Sequence, residues 1–236
     1  MVIFLIAFVL LLVIGVPISI SIGASAVLGC LSLGYPLVVI GQKMVSGIDS
    51  FLLIAVPLFI LAGNLMNAGK ITEKIFDTAK ELVGWIPGGL GHANVVASII
   101  FAGMSGSAVA DAGGLGAIEM EAMKKNGYDE DFAGAVTAAS SVIGPIFPPS
   151  IPLIIYGSVA SVSVDQLFMG GVVPGLLMGV LLMVMVLYFA IVRRYERHPF
   201  RLRALIRQFL GSIPALITPV IILCGFVVGW FTPTEA

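Results

Sequence analysis

The first 42 residues of this chain contain no Asp, Glu, Lys or Arg, and uncharged stretches recur along the rest of it, interrupted by glycine and proline more often than by charge. A chain built this way has too little polar surface to cover itself in water. Across 236 residues it is 59% hydrophobic and 11% charged, with a mean hydropathy of +1.12. A soluble domain carries about 45–50% apolar and about 25% charged residues. Most of this chain must therefore have lipid as its solvent, and its long apolar runs read as helices. The fold class that follows is an all-α polytopic membrane protein.

The other bulk features exclude more than they assign. A formal net charge of −1 leaves no electrostatic footprint for nucleic acid. Cys30 and Cys224 lie in apolar runs without a second ligand at metal spacing, and His92 and His198 sit at segment edges. No metal cluster or organic cofactor is expected from them. Met1–Ile14 has no Lys or Arg ahead of its apolar core, so it reads as a first membrane helix rather than a cleaved leader.

The apolar runs divide the chain. Residues 2–33 are too long for a perpendicular span and are interrupted at Gly15-Val16-Pro17, giving one kinked helix or two short ones. Residues 51–66 form a span containing Pro57. Over 71–83, Ile71, Ile75, Phe76, Ala79, Leu82 and Val83 share one face, with Lys and Glu on the other, as in an amphipathic helix lying along the interface. Residues 94–122 are apolar but rich in small side chains, and 131–163 are apolar with a proline-rich interruption. Residues 167–192 read as an uninterrupted span, and 209–230 as another. Arg193, Arg194, Arg197, Arg201, Arg203 and Arg207 face only Glu196 between those two spans, which places that loop in the cytoplasm. Lys124 and Lys125 then fall on the same side. The Lys70–Lys80 helix joins them if 94–122 enters the membrane and returns.

Two segments carry the candidate chemistry. Twelve of the sixteen residues from Ala102 to Ala117 are Gly, Ala or Ser. Gly costs roughly 1 kcal/mol against Ala at each helical position, so this run suits two short helices meeting at a tip inside protein, where irregular backbone is tolerated. Ser105 and Ser107 offer oxygens there. Asp111 is an ionisable group at membrane depth, and so a functional candidate. Close small-residue packing, with Asp111 capping the second helix, is the plainer alternative. In the second segment, Pro145, Pro148, Pro149 and Pro152 lack the N–H that would serve the carbonyls of Ser141, Gly144, Pro145 and Pro148. Orphan carbonyls attract a desolvated cation, and the half-helix starting near Ser150 aims its positive end at the same break. A kink healed by neighbouring hydroxyls is the alternative. Cation and anion sites at one broken helix fit a secondary transporter.

At these residues the sequence resembles the large membrane subunit of the tripartite ATP-independent periplasmic (TRAP) transporters, the DctM-like family. The likeness rests on Gly15-Val16-Pro17, Val56-Pro57-Leu58-Phe59 with Ala62-Gly63, and Ser105-Gly106-Ser107-Ala108-Val109-Ala110-Asp111. It extends to Ile146-Phe147-Pro148-Pro149-Ser150-Ile151 and to Gly229–Ala236. Residues 140–147 are more proline-rich than the usual run before Pro-Pro-Ser.

The resemblance implies a bacterial or archaeal inner-membrane symporter driven by sodium. It would import a C4-dicarboxylate-like organic acid with a small DctQ-like membrane subunit and a DctP-like periplasmic binding protein. It further implies an elevator-type ion-transporter-like fold of two inverted repeats, of which this chain would hold the first and the start of the second. Residues 1–91 would be scaffold and interfacial arm. Residues 92–163 would be half the transport domain, with a re-entrant hairpin at 93–125 and a broken helix at 131–163. Residues 164–208 would be a transmembrane helix and the Arg-rich loop, and 209–236 the first helix of the second repeat. Carried onto this chain, the family's sodium site falls on Ser105, Ser107, Gly144 and the backbone of Phe147, Pro148 and Pro149. Ser150 stands as a substrate-side candidate and Asp111 as a hairpin-packing or substrate candidate.

Three rivals remain at this point. One is a binding-protein-independent anion/sodium symporter of the same superfamily, and another is a channel or non-transporting scaffold. The third is an intramembrane serine protease, suggested by Gly103-Met104-Ser105-Gly106, but no apolar span supplies the histidine base such an enzyme needs. A non-enzyme is therefore expected. The family's large subunit is about twice as long in the two-repeat arrangement, so the chain is expected to be a fragment that inserts without transporting.

Overall fold

A computed structural model describes residues 2–195, 197, 199, 202–230, 232, 234 and 235. Among them the regular structure is helical, with no strand. The chain divides into two units, Met1–Ser50 and Phe51–Ala236.

In the first unit the run from Val2 resolves into two helices, α1 (Val2–Val13) and α2 (Ile18–Ser32), followed by α3 (Val38–Ile48). Gly15 takes φ +89° between α1 and α2, a conformation open to glycine at no steric cost. Pro17 then leads α2 from the N-cap position, where no amide is needed. The helices pack closely enough that a Cβ on Gly29 would lie 3.4 Å from Cβ of Phe4. Ser21 and Ser25 are buried, and their hydroxyls donate to the carbonyls of Val16 and Ile22 at 3.2 and 3.0 Å. The apolar pattern leaves α3 unassigned, because Gly41, Gly47, Gln42 and Lys43 dilute it.

The second unit opens with a 3-10 turn (Phe51–Ile54) leading into α4 (Ala55–Ala68) and then α5 (Ile71–Val83). A helical hairpin follows: α6 (Gly89–Ser105), the short α7 (Ala108–Ala110), a π turn (Asp111–Leu115) and α8 (Gly116–Lys125). Then come α9 (Glu130–Ser141), α10 (Ile151–Ala160), α11 (Val164–Arg193) and α12 (Leu202–Val228). Among the described residues three stretches are long and apolar enough to cross a membrane: Phe51–Ala68, Val164–Arg193 and Leu202–Ile222. This is a multi-pass membrane protein.

The arm helix α5 has the predicted bounds. Ile75, Phe76 and Ala79 are buried against α6 and α12, and the Thr78 hydroxyl donates to Ser212 Oγ at 2.8 Å. Leu82, placed on the apolar face by its spacing, is exposed. In α6 and α8, the Leu90 amide donates to the Tyr128 hydroxyl at 3.4 Å and Gly91 lies beside Met123. The two arms therefore begin and end together and meet at a distant tip. At 17 residues, α6 is about 26 Å long, short of a hydrocarbon core of about 30 Å.

The expected uninterrupted span corresponds to α11, which carries Pro174 inside it. Its Gly171, Gly175 and Gly179 form one stripe: a Cβ on Gly171 would collide with the Ile146 carbonyl, and one on Gly179 would lie 2.6 Å from Cδ1 of Ile99. That stripe beds the proline-rich break of the chain onto α11. The arginine cluster is also less of a loop than expected. Arg193 ends α11, and Arg203 and Arg207 lie in the first turns of α12. His198, Glu196 and Arg201 lie outside the described residues, as do Phe231, Pro233 and Ala236 of the last motif.

Candidate functional site

The hairpin tip and the break between α9 and α10 interlock through backbone. Gly106 closes α6 at φ +58°, and its carbonyl accepts the Ile151 amide at 3.3 Å. A Cβ on Gly106 would lie 2.6 Å from the Pro149 carbonyl. One on Gly144 would lie 3.3 Å from the Ser107 carbonyl carbon and 3.5 Å from the Ala108 amide. Glycine at both positions lets two irregular backbones touch. Ser105, Ser107, Gly144, Pro149 and Ser150, scattered over 46 positions in sequence, thus share one neighbourhood. Phe147 anchors it, with its ring buried between Gly103 and Gly175.

The oxygens there are unequally engaged. Ser105 Oγ is buried and has no hydrogen-bond partner. Ser107 is the N-cap of α7, its Oγ accepting the Ala110 amide at 3.3 Å, a capping role that the plainer alternative gave to Asp111. Four carbonyls are freed by the prolines, and two find other donors. Ser141 accepts the Gly144 amide at 3.2 Å, and Pro145 accepts the Ser150 hydroxyl at 2.5 Å. The carbonyls of Gly144 and Pro148 accept no backbone amide among the described residues. An oxygen set of this kind suits a hard cation.

The anion side differs from the sequence expectation. At the start of α10 the Ile151 amide is held by Gly106, residue 152 is proline, and the Leu153 amide is capped by Ser150 Oγ at 3.3 Å. The first turn therefore has no free amide to offer an anion, because the hairpin tip already fills that position. A cleft of about 430 Å³ opens beside the tip instead, lined by Ser105, Ser107 and Gly114 together with Asn64 and Asn67 of α4. The two asparagines went unnoticed in sequence, since a carboxamide in an apolar helix carries no charge signal.

A family model for the DctM component of the tripartite ATP-independent periplasmic transporters matches residues 5–236. The chain belongs to this family. Among its relatives, the sialic acid TRAP transporter large permease protein SiaM of Vibrio cholerae is 52% identical over 196 residues, which is 83% of this chain and 46% of that protein. The 2,3-diketo-L-gulonate TRAP transporter large permease protein YiaN of Escherichia coli is 42% identical, over 84% of this chain and 47% of its own length. The C4-dicarboxylate TRAP transporter large permease protein DctM of Vibrio cholerae is 37% identical, over 96% and 51%. The chain spans about half the length of these relatives, all of which are named as transporter permeases and none as an enzyme. Family and apolar helices together indicate a multi-pass inner-membrane protein.

In this DctM-family chain the remaining polar groups lie deeper in the hairpin. Asp111 is buried in the π turn with Ser98 of α6 and Ser141 of α9 facing its carboxyl. Ser141 Oγ donates instead to the Thr137 carbonyl at 2.7 Å, and neither hydroxyl completes a hydrogen bond to Asp111. Beyond it, Asn94 donates to Thr137 Oγ1 and accepts from Ser140 Oγ, both at 2.7 Å. At the hairpin base, burial pushes the Tyr128 hydroxyl up to about 12, opposed by its bond from the Leu90 amide and reinforced by Tyr195.

Proposed function

We propose that this chain is the first half of a TRAP large permease that takes up an organic acid of the C4-dicarboxylate kind together with sodium. The cargo would be delivered by a periplasmic binding protein, and a small membrane subunit would complete the permease. The cargoes named for the relatives include sialic acid and C4-dicarboxylates, which share carboxylate chemistry. The observation that carries the reading is the buried, partnerless Ser105 hydroxyl at the interlocked tip and break, next to the open carbonyls of Gly144 and Pro148. Sodium there would supply the positive charge that those oxygens lack, and a carboxylate in the adjoining cleft would bring the loaded pair closer to neutral. A pair near neutrality crosses a low-dielectric layer at less cost than either ion alone. Residues 92–163 would move as the carrier, with sodium and acid bound together so that neither leaks.

The test is uptake of labelled acid into proteoliposomes holding the full-length permease, its small subunit and the binding protein. Gly144→Leu is expected to abolish sodium-dependent uptake while insertion is unchanged, because its side chain would enter the Ser107–Ala108 backbone. Wild-type rates in that variant would overturn the site. Uptake that needs neither binding protein nor a sodium gradient would overturn the function.

A further inference from the structure

The hairpin interior holds a second group of oxygens that the tip site does not use. Asp111 and Glu119 are 1% and 0% exposed, and none of their four carboxylate oxygens has a hydrogen-bond partner. None of the ion pairs among the described residues reaches either of them. Two buried carboxyl groups without a donor or counter-charge are costly as a charged pair unless a proton or a cation neutralises each of them.

Local backbone brings the two acids to one side. Eight residues of unbroken α-helix turn through about 800°, which would leave them about 80° apart. The π turn Asp111–Leu115 takes up about one extra residue, which removes most of that offset. Both acids are buried in an arm on which α6 and α9 pack. Gly116, between the two acids in sequence, packs against the Thr137 methyl of α9. A π turn inside an α-helical arm is a common mark of a functional position.

Of the two hydroxyls facing Asp111, one has its proton committed elsewhere and the other is free to turn its lone pairs inward. Ser141 has already given its hydrogen to the Thr137 carbonyl, so it presents lone pairs to the Asp111 side. Ser98 Oγ is 1% exposed and has no partner. Carboxylate and hydroxyl oxygens, with no nitrogen or sulfur among them, are the donor set of a hard cation.

We propose that the hairpin interior binds sodium between the Asp111 carboxylate and the hydroxyls of Ser98 and Ser141, with Glu119 beside it as a neutral acid, so that one sodium balances one carboxylate. This seat is distinct from the tip. Asp111 is one helical turn, about 6 Å of rise, beyond Ser107. The inference rests on the reading of the protein as sodium-coupled, and it adds a second ion to this half of the permease.

Binding of ²²Na⁺ to the purified full-length permease, against a choline background, tests it. Gly144→Leu is expected to remove the tip ion alone. Asp111→Asn is expected to lower the bound sodium by one ion per permease while the tip ion remains, whereas Glu119→Gln, isosteric with the neutral acid, is expected to keep that ion. Ser98→Ala, which keeps both carboxyls and serves if the carboxyl variants do not fold, is expected to weaken one class of site about tenfold. Unchanged stoichiometry and affinity in both Asp111→Asn and Ser98→Ala would overturn the second seat while leaving the tip site standing. No sodium bound by the wild type would overturn both.

Discussion

Asp129, in the turn between α8 and α9, accepts from the Arg193 guanidinium and from the Tyr195 hydroxyl, the latter at 2.8 Å. Tyr195 also stacks on Tyr128 at 4.2 Å and tilts against Phe132 at 5.4 Å. The two kinds of contact have different worth. Arg193 and Asp129 are 39% and 61% exposed, and an exposed pair contributes about 0.2–1 kcal/mol and is screened by salt. Aromatic pairs add about 0.5–1.5 kcal/mol beyond the area they bury, and salt does not reach it. Asp129→Asn is therefore expected to lower stability by under about 1 kcal/mol, with the deficit vanishing at about 1 M salt. Tyr195→Ala is expected to cost about 1–2 kcal/mol more and to keep that cost in salt. Denaturation midpoints in detergent at low and high salt check both. This cluster was hidden in sequence. The arginines appear there to face only Glu196, and the carboxylate that meets Arg193 is 64 positions away. Ser105 and Ser107, by contrast, were legible because hydroxyls are conspicuous in a run of Gly and Ala.

Among the elements, α11 shows how much a hydropathy plot omits. Its residues read as a plain span, yet the glycine stripe decides where the proline-rich break can lie. Gly170 and Gly171 are neighbours in sequence and opposites in packing: a Cβ on Gly170 meets nothing within 4 Å, whereas one on Gly171 collides with the Ile146 carbonyl. Gly170→Ala is expected to be neutral or to stabilise the helix by up to about 1 kcal/mol. Gly171→Leu is expected to cost about 1–3 kcal/mol, in the range of overpacked cores, and to disturb the break. The same denaturation measurement, with and without sodium, separates the two. Equal effects would mean that the break does not rest on α11. The break itself was legible because proline removes amides at known positions. The loss of the α10 N-terminus as an anion site was not, since the Gly106 carbonyl that occupies it comes from another element. Glu119 is unmarked in sequence for a related reason, as the π turn that precedes it leaves no trace in a glycine-rich run.

For the molecule as a whole, the contacts of the second unit gather its basic groups. The Asp129–Arg193 pair sets the end of α11 beside the turn that follows Lys124 and Lys125. The Thr78 and Ser212 hydroxyls join α5, with Lys74 and Lys80, to the first part of α12, which carries Arg203 and Arg207. Positive charge within short loops marks the cytoplasmic face, so each of these joined groups is expected there. A full crossing by α6 alone would have split them, whereas the hairpin closed at Leu90 and Tyr128 keeps its two ends together. Sidedness is therefore a sharp prediction. In a full-length permease with Cys30 and Cys224 replaced by Ser, single cysteines at Lys80, Lys124 and Arg207 are expected to react with a membrane-impermeant maleimide in inside-out vesicles. They are expected to stay unlabelled in right-side-out ones. Labelling of the Lys80 position from the opposite side to Lys124 would show that the chain crosses between them, and would remove the hairpin from the interior position that both proposed cation sites require.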